Sequence, residues 1–247
     1  MPFPKTIFQT WNTKNISDPI LKQWSESWKK YNNQYEYVLW DDEDNRKFIE
    51  ENFLDFLPIY DNYDVNIKRV DAVRYFYLYK YGGIYADIDF ECLKSFDDIM
   101  DQDSVDIVLG SLDFPNVNEY HLHSIPNAIM ISKKQSDFWE FVIAVLKNIG
   151  NVNDLPPEAS TGPVLLKLCL IFYKTKLYDK DFIKKTYGKD IFENISCNHS
   201  SKICVLSPEV FYPINWNDKI PYKYQSNEET IKSFPNSYAA TYWMHSW

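Results

Sequence analysis

One helix and one strand in tandem restrict this chain more than anything else in it. From Val65 to Glu91 it reads VNIKRVDAVRYFYLYKYGGIYADIDFE. Between Val70 and Tyr81 the residues are apolar or aromatic almost all round, with Asp71, Arg74 and Lys80 as the only charges. A helix of that kind has no solvent face and must be enclosed by other layers. Gly82 is placed to end it, and IYADIDF then reads as a strand entering the same core. An enclosed helix feeding an enclosed strand is a unit of an α/β domain.

The rest of the sequence repeats that alternation. KTIFQTW and YEYVLW read as strands, and so do VDIVLGS, NAIMIS and ICVLSPEVFYP. Helices are predicted in SDPILKQWSESWKKYN, with Asp18 as cap and Pro19 in the first helical position, and in DDEDNRKFIEENF, SDFWEFVIAVLKNIG and TGPVLLKLCLIFYK. Residues 151–160 and 217–237 read as loops. At 247 residues the chain is long enough for a substantial core. We read residues 1–247 as one α/β sandwich, a mainly parallel sheet flanked by helices, with ligands expected at the carboxyl ends of its strands.

Composition removes several functions. The net charge is −9 and no Lys/Arg-rich run occurs, which argues against nucleic acid as partner. No apolar run approaches the roughly 20 residues of a membrane span. The start MPFPKTIFQTW has no leader pattern, so a soluble, cytoplasmic protein is expected and the sequons at Asn15, Asn194 and Asn198 carry no weight. The four cysteines, Cys92, Cys169, Cys197 and Cys204, have no C-x-x-C pairing and read as reduced core thiols, with Cys197 and Cys204 at best a weak disulfide candidate.

The chemistry concentrates on two acids. As a continuous strand, IYADIDFE puts Tyr85, Asp87, Asp89 and Glu91 on one face. Two carboxylates one strand step apart repel when buried, and a hard divalent cation relieves that repulsion. A solvated strand end explains an isolated D-x-D equally well. The preceding helix shifts the balance, because Asp71 and Arg74 lie i,i+3 on one face. Such a pair is either a structural ion pair or a clamp for sugar hydroxyls, the arginine donating and the aspartate accepting.

VDAVRYFYLYKYGGIYADIDFECLKSF resembles the D-x-x-R…G-G-x-Y-x-D-x-D signature of the sugar transferases of glycosyltransferase family 32, and it is similar to the catalytic core of glucosylating bacterial toxins. FPKTIFQTW, YVLWDD, IPNAIMISKKQSDFW, STGPVLL and YWMHSW match further family segments in order, with Phe8 where the family has histidine. The resemblance implies a GT-A nucleotide-sugar fold and a retaining, metal-dependent transfer of a hexose from a UDP- or GDP-sugar to a glycan or other hydroxyl acceptor. It implies Mn²⁺ or Mg²⁺ held by Asp87 and Asp89, a base stacked on Trp11, and a donor sugar held by Asp71 and Arg74 beside Tyr85. It also places Asn127, Thr161, Gly162, Ser246 and Trp247 at the substrate. The family's C-terminal histidine falls on Thr241 here, so His245, Ser246, Thr241 and water all remain open as a third metal ligand.

His121 and His123 in EYHLHSIPN fit a metal pair, an acceptor-side loop or plain exposure, and Trp216 fits either an acceptor stacker or the core. Two other functions compete with transfer. One is a D-x-D phosphohydrolase, against which stands Phe90-Glu91 where such sites need a small or hydroxyl residue. The other is a non-catalytic carbohydrate-binding relative, favoured by the altered C-terminal motif.

Overall fold

The computed structural model describes residues 2–112, 123–150, 154–216 and 223–244. Six strands form the central sheet: β1 (Thr6–Thr10), β2 (Glu36–Trp40), β3 (Gly83–Ala86), β5 (Ile107–Gly110), β6 (Ile129–Ser132) and β7 (Ile203–Leu206). Their order is β2-β1-β3-β6-β5-β7. β2, β1 and β3 are mutually parallel and so are β5 and β7, while β6 runs antiparallel to both its neighbours. One reversed strand in an otherwise parallel sheet therefore brings the carboxyl ends of β1, β3 and β5 to the same edge as the amino end of β6. Two short strands, β4 (Phe90–Cys92) and β8 (Ala239–Thr241), pair antiparallel beside that edge.

Alternate residues of the strands feed two cores. Phe8, Tyr85, Leu109 and Met130 pack on one side of the sheet, and Ile7, Ile84, Ala86, Val108 and Ile131 on the other. The first side is covered by α2 (Asp42–Asn52), α3 (Leu57–Asp61), α4 (Asn66–Lys80), α6 (Asp137–Ile149), α8 (Pro163–Thr175) and α9 (Lys180–Tyr187). The second is covered by α1 (Pro19–Tyr31), α5 (Asp97–Met100) and α10 (Pro208–Phe211), while α7 (Pro157–Ser160) joins the first side through Ala159 and α11 (Asn227–Ser233) lies at the periphery. Every residue of α4 from Val70 to Leu78 is buried, as its all-round apolar pattern requires. The Asp18 carboxylate caps α1, accepting from the Ile20 N–H at 2.8 Å. Phe8 stacks on Tyr77 with ring centroids 5.3 Å apart, so the aromatic substitution is absorbed by the core.

The Gly82-Gly83 link turns α4 into β3. Both residues have positive φ, +67° and +91°. A Cβ on Gly82 would lie 2.6 Å from the Lys134 nitrogen, and one on Gly83 would lie 2.4 Å from the Thr6 carbonyl oxygen. Any side chain there would push β3 away from β1 and β6.

Several expectations need correction. IYADIDF is not one strand. β3 ends at Ala86, the Asp87 N–H still donates to the Ala128 carbonyl at 2.8 Å, and the Phe90 N–H then closes a turn on the Asp87 carbonyl at 3.1 Å. Within the turn Ile88 packs with Leu21, Trp24 and Tyr242, and beyond it β4 joins β8 instead of the central sheet. A central strand buried on both faces has no room for two carboxylates, so the chain leaves the sheet where they occur. ICVLSPEVFYP is strand only to Leu206, because Pro208 starts α10. The two segments read as loops contain α7 and α11, the latter closed by a Ser226/Glu229 capping box. All four cysteines are free, with Cys92 and Cys169 buried. Among the described residues no helix is long and apolar enough to cross a membrane.

Candidate active site

Arg74 organises the site. It is 1 % exposed, and a guanidinium in that position needs its charge and its donors matched. Its Nη2 lies 3.1 Å from Asp71 Oδ1, one helical turn back, and its Nη1 lies 3.1 Å from Asp87 Oδ1 beyond the end of β3. Nη1 also donates to the Asn127 carbonyl at 2.9 Å, and Nε donates to the Val70 carbonyl. The flat face sits over the Tyr85 ring at 4.6 Å. Asn127 closes the circuit by donating from Nδ2 to Asp71 Oδ1 at 2.9 Å. α4, β3 and the lead into β6 are thereby tied at one point, and Asp71/Arg74 is an ion pair that also lines a cleft.

Asp71, Arg74, Asp87, Asp89 and Asn127 all line one cleft of about 600 Å³ at the sheet edge described above. Asp87 and Asp89 are 7 % and 9 % exposed. Burial pushes the Asp87 carboxyl up to about 7; Arg74 pulls against that rise and the Asp89 charge adds to it. Burial likewise raises Asp71, against the pull of Arg74. Two buried acids, with the Asp89 charge raising the Asp87 carboxyl, are a donor set suited to a hard divalent cation, whose ligands are carboxylate oxygens. The residues therefore fit a divalent cation, which Asp87 and Asp89 would hold. Among the described residues no third His, Cys, Asp or Glu joins them at ligand range.

The C-terminal segment reaches the same acids. Phe90 pairs with Thr241 across β4 and β8, the Tyr242 N–H approaches the Asp89 carbonyl at 3.4 Å, and the Met244 N–H donates to Asp89 Oδ2 at 2.8 Å. Thr241 and Trp243 line the cleft. Tyr242 is locked beneath by stacking on Trp24 at 4.2 Å and by donating to Glu91 Oε2 at 2.6 Å. Glu91 thus faces away from Asp87 and Asp89, contrary to the single-strand expectation.

The remaining candidates divide. Trp11 lies past the end of β1 in an adjoining pocket of about 250 Å³, and Ile67 lines both pockets. Tyr85 is wholly buried and supports the site from beneath, its ring under Arg74 and its hydroxyl donating to Asp87 Oδ1 at 2.7 Å. Thr161 is buried too, its carbonyl accepting from the Tyr75 hydroxyl at 2.8 Å. Gly162 backs Asp71: a Cβ there would lie 3.1 Å from Asp71 Oδ2. His123 and Trp216 line the cleft, whereas His121, His245, Ser246 and Trp247 lie outside the described residues. Glu158 and Trp243 are cleft residues that pattern reading missed. Glu158 sits on a four-residue helix with too little periodicity to show, and Trp243 stands among aromatics that read as a tail.

Residues 20–106 match the family model described as the glycosyltransferase sugar-binding region containing DXD motif. Inositol phosphoceramide mannosyltransferase 2 of Schizosaccharomyces pombe is 33 % identical over 178 residues, covering 70 % of this chain and 48 % of that protein. Mannosyl phosphorylinositol ceramide synthase SUR1 of Saccharomyces cerevisiae is 39 % identical over 178 residues, covering 69 % of this chain and 42 % of that protein. This chain thus spans less than half the length of these relatives. A solved structure, PaToxG Glycosyltransferase, superposes with a TM-score of 0.48 at 18 % identity over 79 % of this chain and 81 % of that one. By its matched region and these relatives, the chain belongs to the family of glycosyltransferase sugar-binding regions that contain the DXD motif.

Proposed function

We propose that this protein is a metal-dependent retaining glycosyltransferase that moves a hexose from a nucleotide-diphosphate sugar to a hydroxyl acceptor. The observation that carries the reading is the convergence of Asp71, Arg74, Asp87, Asp89 and Asn127 on one cleft, with Trp11 in the pocket next to it. The mannosyltransferase names of the relatives favour a mannosyl donor.

In this reading Trp11 takes the base by stacking, and Asp71 accepts hydroxyls of the donor sugar while Arg74 holds Asp71 and Asp87 in place. Asp87 and Asp89 would hold Mn²⁺ or Mg²⁺, which would supply charge stabilisation to the departing diphosphate. The anomeric carbon–oxygen bond to the diphosphate breaks and a bond to the acceptor oxygen forms through an oxocarbenium-like state. The acceptor proton passes to the leaving phosphate on the same face, which retains configuration and needs no nucleophilic carboxylate. Arg74 buried beside Asp87 lowers the electrostatic cost of gathering charge in so dry a place.

A panel of nucleotide sugars, each incubated with Mn²⁺ or Mg²⁺ and followed for hydrolysis and for transfer, tests the proposal. One donor is expected to be turned over only with cation, and Asp89→Ala is expected to abolish that turnover. Full cation-dependent turnover by Asp89→Ala, or phosphatase activity on aryl phosphates without release of sugar, would sink it.

A further inference from the structure

The corner between α8 and α9 carries a charge opposite to that of the molecule as a whole. Between residues 163 and 203 the chain has eight lysines against four acids, in a protein of net charge −9. None of the eight joins an ion pair among the described residues, whereas lysines elsewhere do, Lys5 with Asp97 and Lys14 with Asp44 among them. Two of the four acids are already engaged. Asp179 caps α9 by accepting from the Asp181 and Phe182 N–H groups, and Asp190 accepts from the Tyr178 hydroxyl at 2.7 Å. No more than two of these lysines are adjacent in sequence, so the fold gathers them. On α8, Lys167, Ile171 and Lys174 follow at i, i+4 and i+7 and share one face. On α9, Ile183 and Tyr187 point into the core, which leaves Lys180, Lys184 and Lys185 exposed.

An apolar tip stands among these cations. Leu177 is 72 % exposed, with Lys174 and Lys176 before it and Lys180 after it, and Ile171 is exposed one turn back along α8. The turn that presents Leu177 is fixed. Lys176 has φ +58° and its N–H closes on the Phe172 carbonyl at 2.7 Å. The Thr175 hydroxyl donates to the Ile171 carbonyl at 2.7 Å and accepts from the Leu177 N–H at 3.1 Å. On the other side the Tyr178 ring packs edge-on against Phe172 at 5.2 Å. Both neighbours are anchored, so Leu177 is held outward. An apolar tip ringed by long cationic side chains suits a partner with anions at its surface and hydrocarbon just beneath. An aqueous polyanion would leave Leu177 in water. A bilayer also deforms around a protruding tip, so it needs no matching pocket.

We propose that the α8–α9 corner docks this protein on an anionic lipid surface, with Leu177 entering the headgroup layer and Lys174, Lys176 and Lys180 against the lipid anions. No membrane span is required, and the proposal does not depend on the glycosyl-transfer reading. Pro163, at the start of α8, lines the cleft, and the helix runs 13 residues from there to Thr175. The docking corner therefore lies about 20 Å from the cleft at 1.5 Å per residue, and docking leaves the cleft open. The acidic remainder of the molecule does not oppose it, since its charge is screened beyond about 8 Å at physiological salt.

Co-sedimentation with vesicles tests the proposal, comparing pure phosphatidylcholine with phosphatidylcholine containing about one-third phosphatidylserine, at about 0.1 M and about 0.5 M salt. The protein is expected to bind the anionic vesicles at least roughly tenfold more tightly than the neutral ones, and to lose most of that preference at the higher salt. Lys174→Glu, Lys176→Glu and Lys180→Glu combined are expected to weaken binding by about 100-fold, since each lysine near such a surface contributes roughly fivefold. Leu177→Ala is expected to weaken it by about tenfold with the salt dependence unchanged. All four side chains are exposed, and thermal melting checks that the variants fold as the parent does. Lys22→Glu with Lys80→Glu, the same change at exposed lysines elsewhere, is expected to leave binding within about threefold. Equal binding to neutral and anionic vesicles, or parent-like binding by the triple variant or by Leu177→Ala, overturns the proposal. Duplex DNA bound as tightly as the anionic vesicles assigns the corner to polyanions in general and overturns the lipid assignment. Self-association in sedimentation velocity that the triple variant abolishes assigns the corner to a second copy and overturns it too.

Discussion

Arg74 and Asp87 meet across the joint between a buried helix and the end of a buried strand, with Nη1 3.1 Å from Oδ1. The same guanidinium holds Asp71, so one side chain sets the positions of both acids. Arg74→Lys keeps the charge but loses the planar fork. One ammonium cannot reach Asp71, Asp87 and the Asn127 carbonyl together while lying flat on Tyr85. Donor turnover is expected to fall at least roughly 100-fold, the scale of removing a preorganised donor. Stability is expected to drop by about 3 kcal/mol, because buried carboxylates lose a partner. Steady-state kinetics and denaturant unfolding check the two effects separately.

The Asp87 carboxyl, raised to about 7 from an ordinary 3.8, makes cation binding pH-dependent. The metal takes the carboxylate and competes with the proton. Mn²⁺ affinity measured by calorimetry is expected to fall as pH drops through 7, by up to about tenfold per unit for the one proton displaced. For the metal-free protein the sign follows from linkage: a folded-state acid with a raised value favours folding below pH 3.8 and loses that contribution as pH rises through about 7. Added Mn²⁺ is therefore expected to raise the melting temperature more at pH 8 than at pH 6. Equal increments at both would exclude Asp87 as a holder.

Gly162 backs the Asp71 carboxylate at a distance that leaves no room for a methyl group. A Cβ would lie 2.9 Å from the Glu158 Cα and 3.1 Å from Asp71 Oδ2. The residue has φ −96°, so alanine meets no backbone strain and acts by contact alone. Gly162→Ala is expected to shift Asp71 and to raise donor KM about tenfold, since a displacement near 1 Å degrades positioned groups. The stability loss is expected near 1–3 kcal/mol, typical of overpacking. A crystal structure of the variant with Asp71 unmoved would contradict this account.

Much of this was legible before the structure. α4 and the Gly82-Gly83 link announce themselves because an all-round apolar helix has one solution, and the alternation of strand and helix patterns predicts the layers. The path of the chain after Ala86 was not legible, since a period-2 pattern cannot show that a strand has left its sheet. The acids reach the cleft from a turn, and Glu91 points elsewhere. The pairing of β4 with β8 joins residues about 150 positions apart, a relation no local pattern contains. For that reason the approach of Met244 to Asp89 and the aromatic wall of Trp243 and Trp216 emerged only in three dimensions. Tyr85 shows the opposite limit, because its place in the motif suggested substrate contact and its burial makes it a support for Asp87 and Arg74.

Tyr85 allows that supporting role to be measured. Its hydroxyl donates to Asp87 Oδ1, a bond that favours the carboxylate and holds the acid below where burial alone would set it. Tyr85→Phe keeps the ring under Arg74 and the packing against Tyr77, and removes only that donor. The Asp87 carboxyl is then expected to rise further, so the pH midpoint of Mn²⁺ affinity moves to higher pH by roughly half to one unit, the equivalent of one hydrogen bond worth about 1 kcal/mol. Turnover at pH 7 is expected to fall several-fold and to recover by pH 8.5, where the acid is ionised in both forms. A purely structural tyrosine would lower activity equally at every pH. Parallel pH profiles for the variant and the parent protein would therefore assign Tyr85 to the core alone.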